Sequence, residues 1–64
     1  MEGQLIEIIP YRGIWRGASI INRYKEIESA ATIAIALLQA DSSITRIELC
    51  GNKECLRTIK NKNN

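Results

Sequence analysis

The chain has no histidine and no phenylalanine, and only one proline and two cysteines among its 64 residues. Without histidine, the serine and cysteine triads and the usual near-neutral general base are unavailable. Ser19, Ser29, Ser42 and Ser43 have no partnered base, and the carboxylates Glu7, Asp41 and Glu48 form no recognisable pair. Gly13 and Gly17 do not make a phosphate loop, because no Gly-Lys-Ser/Thr run and helix follow them. Enzymatic activity is therefore not expected, nor is a cofactor. A closed zinc site takes four ligands, which one chain with two cysteines and no histidine does not provide; only a dimer pooling two pairs could build an all-thiolate site. Aromatic side chains are limited to Tyr11, Trp15 and Tyr24, so aliphatic residues must fill the core.

Other absences bear on location and partners. There is no run of about 18 apolar residues, so no transmembrane helix is expected. The opening MEGQLIEII carries acid where a signal peptide carries Lys or Arg, so a cytoplasmic location is the default. The formal net charge of +2 is too small to demand a polyanionic partner. Apolar residues at 45% and charged residues at 25% are normal for a globular chain. One domain of this length has a core worth only about 3–5 kcal/mol, and chains of this size often add a disulfide, a metal or a partner.

What is present begins with EIESAATIAIALLQA, residues 26–40. At 100° per residue, Glu28, Thr32 and Gln39 cluster on one side, while Ile27, Ala30, Ala31, Ile33, Ala34, Leu37 and Leu38 fill the opposite arc. The pattern predicts an amphipathic helix. Acid in its first turn suits the helix dipole, and Asp41-Ser42-Ser43 is a plausible stop because short polar side chains compete for the backbone. Ile35 falls among the polar residues, as a lone exposed isoleucine or a contact site.

Residues 5–9, LIEII, read as a strand with Ile6 and Ile8 toward the helix. Pro10 to Gly13 reads as a turn, and residues 14–23 as the returning strand. With Tyr11 and Arg12 central in that turn, Glu7 would oppose Arg16 and Ile8 would oppose Trp15. Gly17 and Ala18 suggest a bulge or a close backbone approach. After the helix, residues 44–50 form a third strand and 55–60 a fourth, joined by a turn at Asn52-Lys53. The expected pairs are Cys50–Cys55, Leu49–Leu56, Glu48–Arg57 and Ile47–Thr58. The expectation is thus an α+β fold in ββαββ order: one domain over residues 1–60, a small antiparallel sheet with one helix packed on one face, spatial order second-first-third-fourth, and a polar, frayed tail at 61–64.

Three surfaces could carry function. In this register Leu5, Ile9, Ile14, Ile20 and Ile59 lie on the sheet face away from the helix, an apolar patch that soluble monomers seldom tolerate. A second copy packed by two-fold symmetry would cover it, and Ile35 would be a further contact. Arg16, Arg46 and Arg57 share that face as a candidate nucleic-acid surface, partly neutralised by Glu7 and Glu48. Cys50 and Cys55 face each other across a hairpin, where a disulfide is geometrically allowed and two free thiols are the reading for a reducing compartment. Together these features suggest a non-enzymatic protein-binding module, as a homodimer or as an adaptor or inhibitor of another protein. Its size alone matches the small adaptors made by viruses and mobile elements.

Overall fold

The computed structural model describes residues 3–61. They form one helix and an antiparallel sheet: β1 (Gln4–Arg12), β2 (Trp15–Arg16), β3 (Ile20–Tyr24), α1 (Ile27–Ala40), β4 (Arg46–Gly51) and β5 (Glu54–Lys60). The sheet order is β2-β1-β4-β5, with β3 also paired to β1. Because β4 takes one edge of β1, β2 and β3 share the other. They are the two halves of the single second strand expected from sequence, so the expected spatial order is the observed one. The break falls at Gly17, where the expected close approach occurs: its N–H donates to the Pro10 carbonyl at 2.7 Å. A Cβ on Gly17 would meet that same oxygen at 3.0 Å.

The core lies between α1 and the middle of the sheet. Ile6 and Ile8 of β1, Ile47 and Leu49 of β4, and Ile44 pack against Ala30, Ala31 and Ala34. Alanines on the sheet-facing side of a helix bring the two backbones close together, and each fully buried isoleucine or leucine contributes about 1.5–3 kcal/mol. Tyr24, Ile27, Leu37, Leu38 and Ile59 close the margins. Ile33, expected in the buried arc, is exposed, since three small alanines already fill the line of contact. The helix stops where expected. Asp41 donates its N–H to the Leu37 carbonyl at 2.9 Å, and its carboxylate accepts from the Ser43 N–H and hydroxyl at 3.0 and 2.6 Å.

Two registers differ from expectation, and each moves functional candidates. The first turn is at Gly13-Ile14, not Tyr11-Arg12: Tyr11 pairs with Arg16 and Arg12 with Trp15, while Ile8 pairs with Ile20 and Glu7 with Ile21. Strand β1 runs straight through Pro10, which lacks a donor but whose carbonyl still serves the Gly17 N–H. Gly13, with φ 65°, takes the left-handed turn position instead. Ile20 therefore faces the helix side.

The second turn is at Asn52-Lys53 as expected, with φ values of 51° and 67°, and Cys50 does pair with Cys55. Beyond that pair a β-bulge shifts the register, giving Leu49–Arg57, Glu48–Thr58 and Ile47–Ile59. A single extra residue on one strand turns every later side chain to the other face. Arg57 and Ile59 thus lie on the helix side, and Ile59 packs against the core.

Asn61, assigned to the frayed tail, is tied to β4's entry. Its backbone N–H donates to the Thr45 carbonyl at 2.9 Å, and its side-chain amide donates to the Ile44 carbonyl at 3.1 Å. The rest of that tail, 62–64, lies outside the described residues. Among the described residues, no helix is long and apolar enough to cross a membrane.

Candidate functional site

The sheet face away from the helix is not the apolar patch expected. By strand alternation it carries Leu5, Glu7, Ile9 and Tyr11 from β1, Ile21 and Arg23 from β3, Arg16 from β2, Arg46, Glu48 and Cys50 from β4, and Cys55, Thr58 and Lys60 from β5. Of the five aliphatics assigned there, Ile20 and Ile59 have moved to the other face. Ile14 sits in the turn, and Ile9 is only 4% exposed. Leu5 remains exposed, joined by Ile21, which sequence reasoning missed. A long apolar sheet-to-sheet contact therefore lacks its residues.

The basic residues are likewise divided and occupied. Arg16 bonds Glu7 at 3.3 Å. Arg46 reaches Glu48 at 3.4 Å and lies over the Tyr11 ring, 4.0 Å from its centroid, so that ring is not open for base stacking from this side. Arg57 is on the opposite face, held by both oxygens of Glu28 at 3.2 and 3.0 Å. The hydrogen bond and charge of this pair lower the Glu28 pKa and raise that of Arg57. The three arginines named for nucleic acid do not form one surface.

The most exposed large apolar side chains are neighbours at the β1–β2 turn: Ile14 is 89% exposed and Trp15 74%. The expected Ile8–Trp15 packing does not form. By register Trp15 is on the helix side, opposite Arg12, but it lies on the edge strand β2 at the sheet's rim. The turn beneath it is braced from across the molecule. The Gly13 N–H donates to Thr45 Oγ1 at 3.0 Å, and the Thr45 N–H donates to the Tyr11 carbonyl at 2.8 Å. Arg12 donates to Ser43 Oγ at 2.9 Å and to Asp41 Oδ2 at 2.8 Å. Hydrogen bonds from Ser43, then from Arg12, hold the Asp41 carboxyl down at a pKa of about 2. Two bulky apolar side chains are thus presented on a fixed support. Two features of the sequence pointed to this site: the lone tryptophan, and Gly13 two residues before it, able to take the turn's left-handed position.

Two further features complete the surface. Ile35, the isoleucine out of place on the helix, borders a cleft between α1 and β5 of about 590 Å³, lined also by Leu38, Gln39, Ser42, Ile59, Lys60 and Asn61. At the other end of the sheet, Cys50 and Cys55 are free thiols whose sulfurs lie 2.7 Å apart, with Glu48 Oε1 3.8 Å from Cys55 Sγ. Burial pushes the Cys50 thiol up to about 12, helped by the Cys55 hydrogen bond and the charges of Glu48 and Glu7. Cys50 is therefore a thiol, not a nucleophilic thiolate, at neutral pH. Compared with family models, curated proteins and solved structures, the chain matches none.

Proposed function

We propose that this chain is a small non-enzymatic binding module that acts through protein–protein contact, with Ile14 and Trp15 as its anchor and a second copy of itself as the simplest partner. The observation that carries this reading is the exposure of those two side chains on a turn braced by Thr45, Asp41 and Ser43. Tryptophan is among the residues that most often dominate binding energy, and arginines commonly accompany it; Arg12 and Arg16 flank it here. A support already fixed before binding reduces the ordering cost of association. The contact differs from the one the sequence suggested: it is centred on a hairpin tip at the sheet's rim, not on the open sheet face.

Sedimentation of the chain and of Trp15→Ala over a wide concentration range tests the proposal. Trp15 is the only tryptophan, so its fluorescence reports its own burial. The expected result is concentration-dependent association with a blue shift of the emission, weakened at least tenfold by Trp15→Ala, a loss of about 1.4 kcal/mol. A particle that stays monomeric throughout, with emission unchanged by concentration, overturns self-association through this tip.

A further inference from the structure

The geometry points to a metal site at the β4–β5 turn: Cys50, Cys55 and Glu48 form a three-donor site for a thiophilic divalent cation of zinc's class, with one coordination position left open. The sulfurs and a carboxylate oxygen of these residues all lie within 4.8 Å of one another. From sequence the two cysteines fell short of the four ligands of a closed zinc site, and Glu48 was expected opposite Arg57. The bulge places Thr58 opposite Glu48 instead, and the Glu48 side chain turns toward the thiols.

The donors are held by three separate devices. The Asn52-Lys53 turn fixes Cys50 opposite Cys55. Strand alternation puts Glu48 on the same face as Cys50, two residues away. Arg46 takes one oxygen of Glu48, Oε2 at 3.4 Å, while the other, Oε1, faces Cys55 Sγ at 3.8 Å. A carboxylate with one oxygen fixed by a neighbouring donor and the other free is how outer-sphere groups orient metal ligands.

A tetrahedral cation bound at about 2.3 Å to each sulfur would hold the two sulfurs roughly 3.7 Å apart. Opening from 2.7 Å takes a modest side-chain rotation, which the exposed Cys55 is free to make. Two thiols and a carboxylate favour zinc or cadmium over magnesium or calcium, which prefer all-oxygen shells. Glu7 adds negative charge nearby, since it pairs with Cys50 across β1 and β4; Lys53 and Arg16 line the same hollow and limit the field. In binding, the two S–H bonds break, two metal–sulfur bonds and one metal–oxygen bond form, and two protons pass to the buffer. No electron is transferred.

The probe is cobalt(II), then cadmium(II), titrated into the full chain under a phosphine reductant without oxygen, with both thiols first counted by a thiol reagent. The expected result is a sulfur-to-metal charge-transfer band saturating at one metal per chain. Cys50→Ser and Cys55→Ser each abolish it, with the fold checked by circular dichroism. Glu48→Gln keeps the band but weakens binding at least tenfold, and Trp15→Ala leaves it unchanged, which separates this site from the hairpin tip. A chain with two free thiols and no charge-transfer band overturns the proposal. Saturation at one metal per two chains replaces it with a shared four-thiolate site, and unchanged affinity in Glu48→Gln removes the carboxylate from the donor set.

Discussion

At the scale of single residues, four ion pairs, Arg12–Asp41, Arg16–Glu7, Arg46–Glu48 and Arg57–Glu28, do positional work. Asp41 is the clearest case: it closes α1, fixes Ser43 and holds Arg12 beneath the hairpin tip. Its folded pKa of about 2 lies below the ordinary 3.8. A carboxyl depressed on folding contributes stability that is fully present above its unfolded pKa and is lost as pH falls through its folded one. Glu28 is shifted the same way by Arg57, so the comparison belongs in a Glu28→Gln background. There, urea melts from pH 7 down should show the parent more stable than Asp41→Asn above pH 4, with the difference shrinking between pH 4 and 2. A constant difference across that window would show that the Asp41 charge contributes nothing. The tip should respond as well: without the Asp41 charge Arg12 loses an anchor, and Trp15 anisotropy should fall in Asp41→Asn at neutral pH. Unchanged anisotropy would mean that the Gly13 bond to Thr45 braces the tip alone.

At the scale of elements, the decisive feature is the bulge in β5. If it is a single extra residue at Leu56, two one-residue deletions should behave oppositely. Deleting Leu56 restores a regular ladder in which Arg57 still meets Leu49 and Ile59 still meets Ile47, so stability should stay within about 1 kcal/mol of the parent by thermal or urea melting. Deleting Thr58 turns Ile59 outward and brings Lys60 opposite Ile47. It forfeits about 1.5–3 kcal/mol of burial and asks a lysine to enter the core, so β5 should detach. Equal losses from the two deletions would refute the register. The other turn residue to test is Lys53, whose φ of 67° is a conformation that glycine adopts without a Cβ penalty. Lys53→Gly should stabilise the hairpin by about 0.5 kcal/mol. These same elements mark what the sequence makes legible. The helix and its stop at Asp41, the Asn52-Lys53 turn, the inward Ile6 and Ile8, the break at Gly17 and the strand order all follow from periodicity and turn chemistry. The faces of Arg57, Ile59 and Ile20 do not, because a bulge leaves no mark in composition. Proline also reads as a turn even where its free carbonyl lets a strand continue. One residue of error reverses a face, which is why the elements were legible and the candidate surface was not.

At the scale of the whole molecule, the proposed self-contact rests on the distribution of apolar side chains, though for a different reason from the one the sequence suggested. The buried hydrophobic residues include three alanines, whereas Leu5, Ile14, Trp15, Ile20, Ile21, Ile33, Ile35 and Leu56 are all large and exposed. They are scattered over the open face, the tip and both flanks of α1, so no single flat contact gathers them. Leu5 and Ile21 also neighbour each other on the open face. Ile14 and Trp15 are the more exposed pair and sit on a turn braced by side-chain hydrogen bonds, so the proposed contact is placed at the tip. A core of this size leaves about 3–5 kcal/mol, so contact between folded chains should show directly in stability. If folding is coupled to dimerisation, each tenfold rise in chain concentration adds about 1.4 kcal/mol to the apparent free energy of unfolding, and the melting temperature climbs with it. Calorimetry over a hundredfold concentration range should show that climb in the parent and a flat response in Trp15→Ser. A flat response in both would make the fold self-sufficient and leave the tip to a different protein. A climb in both would move the self-contact away from Trp15, toward the cleft between α1 and β5 that Ile35 and Ile59 line.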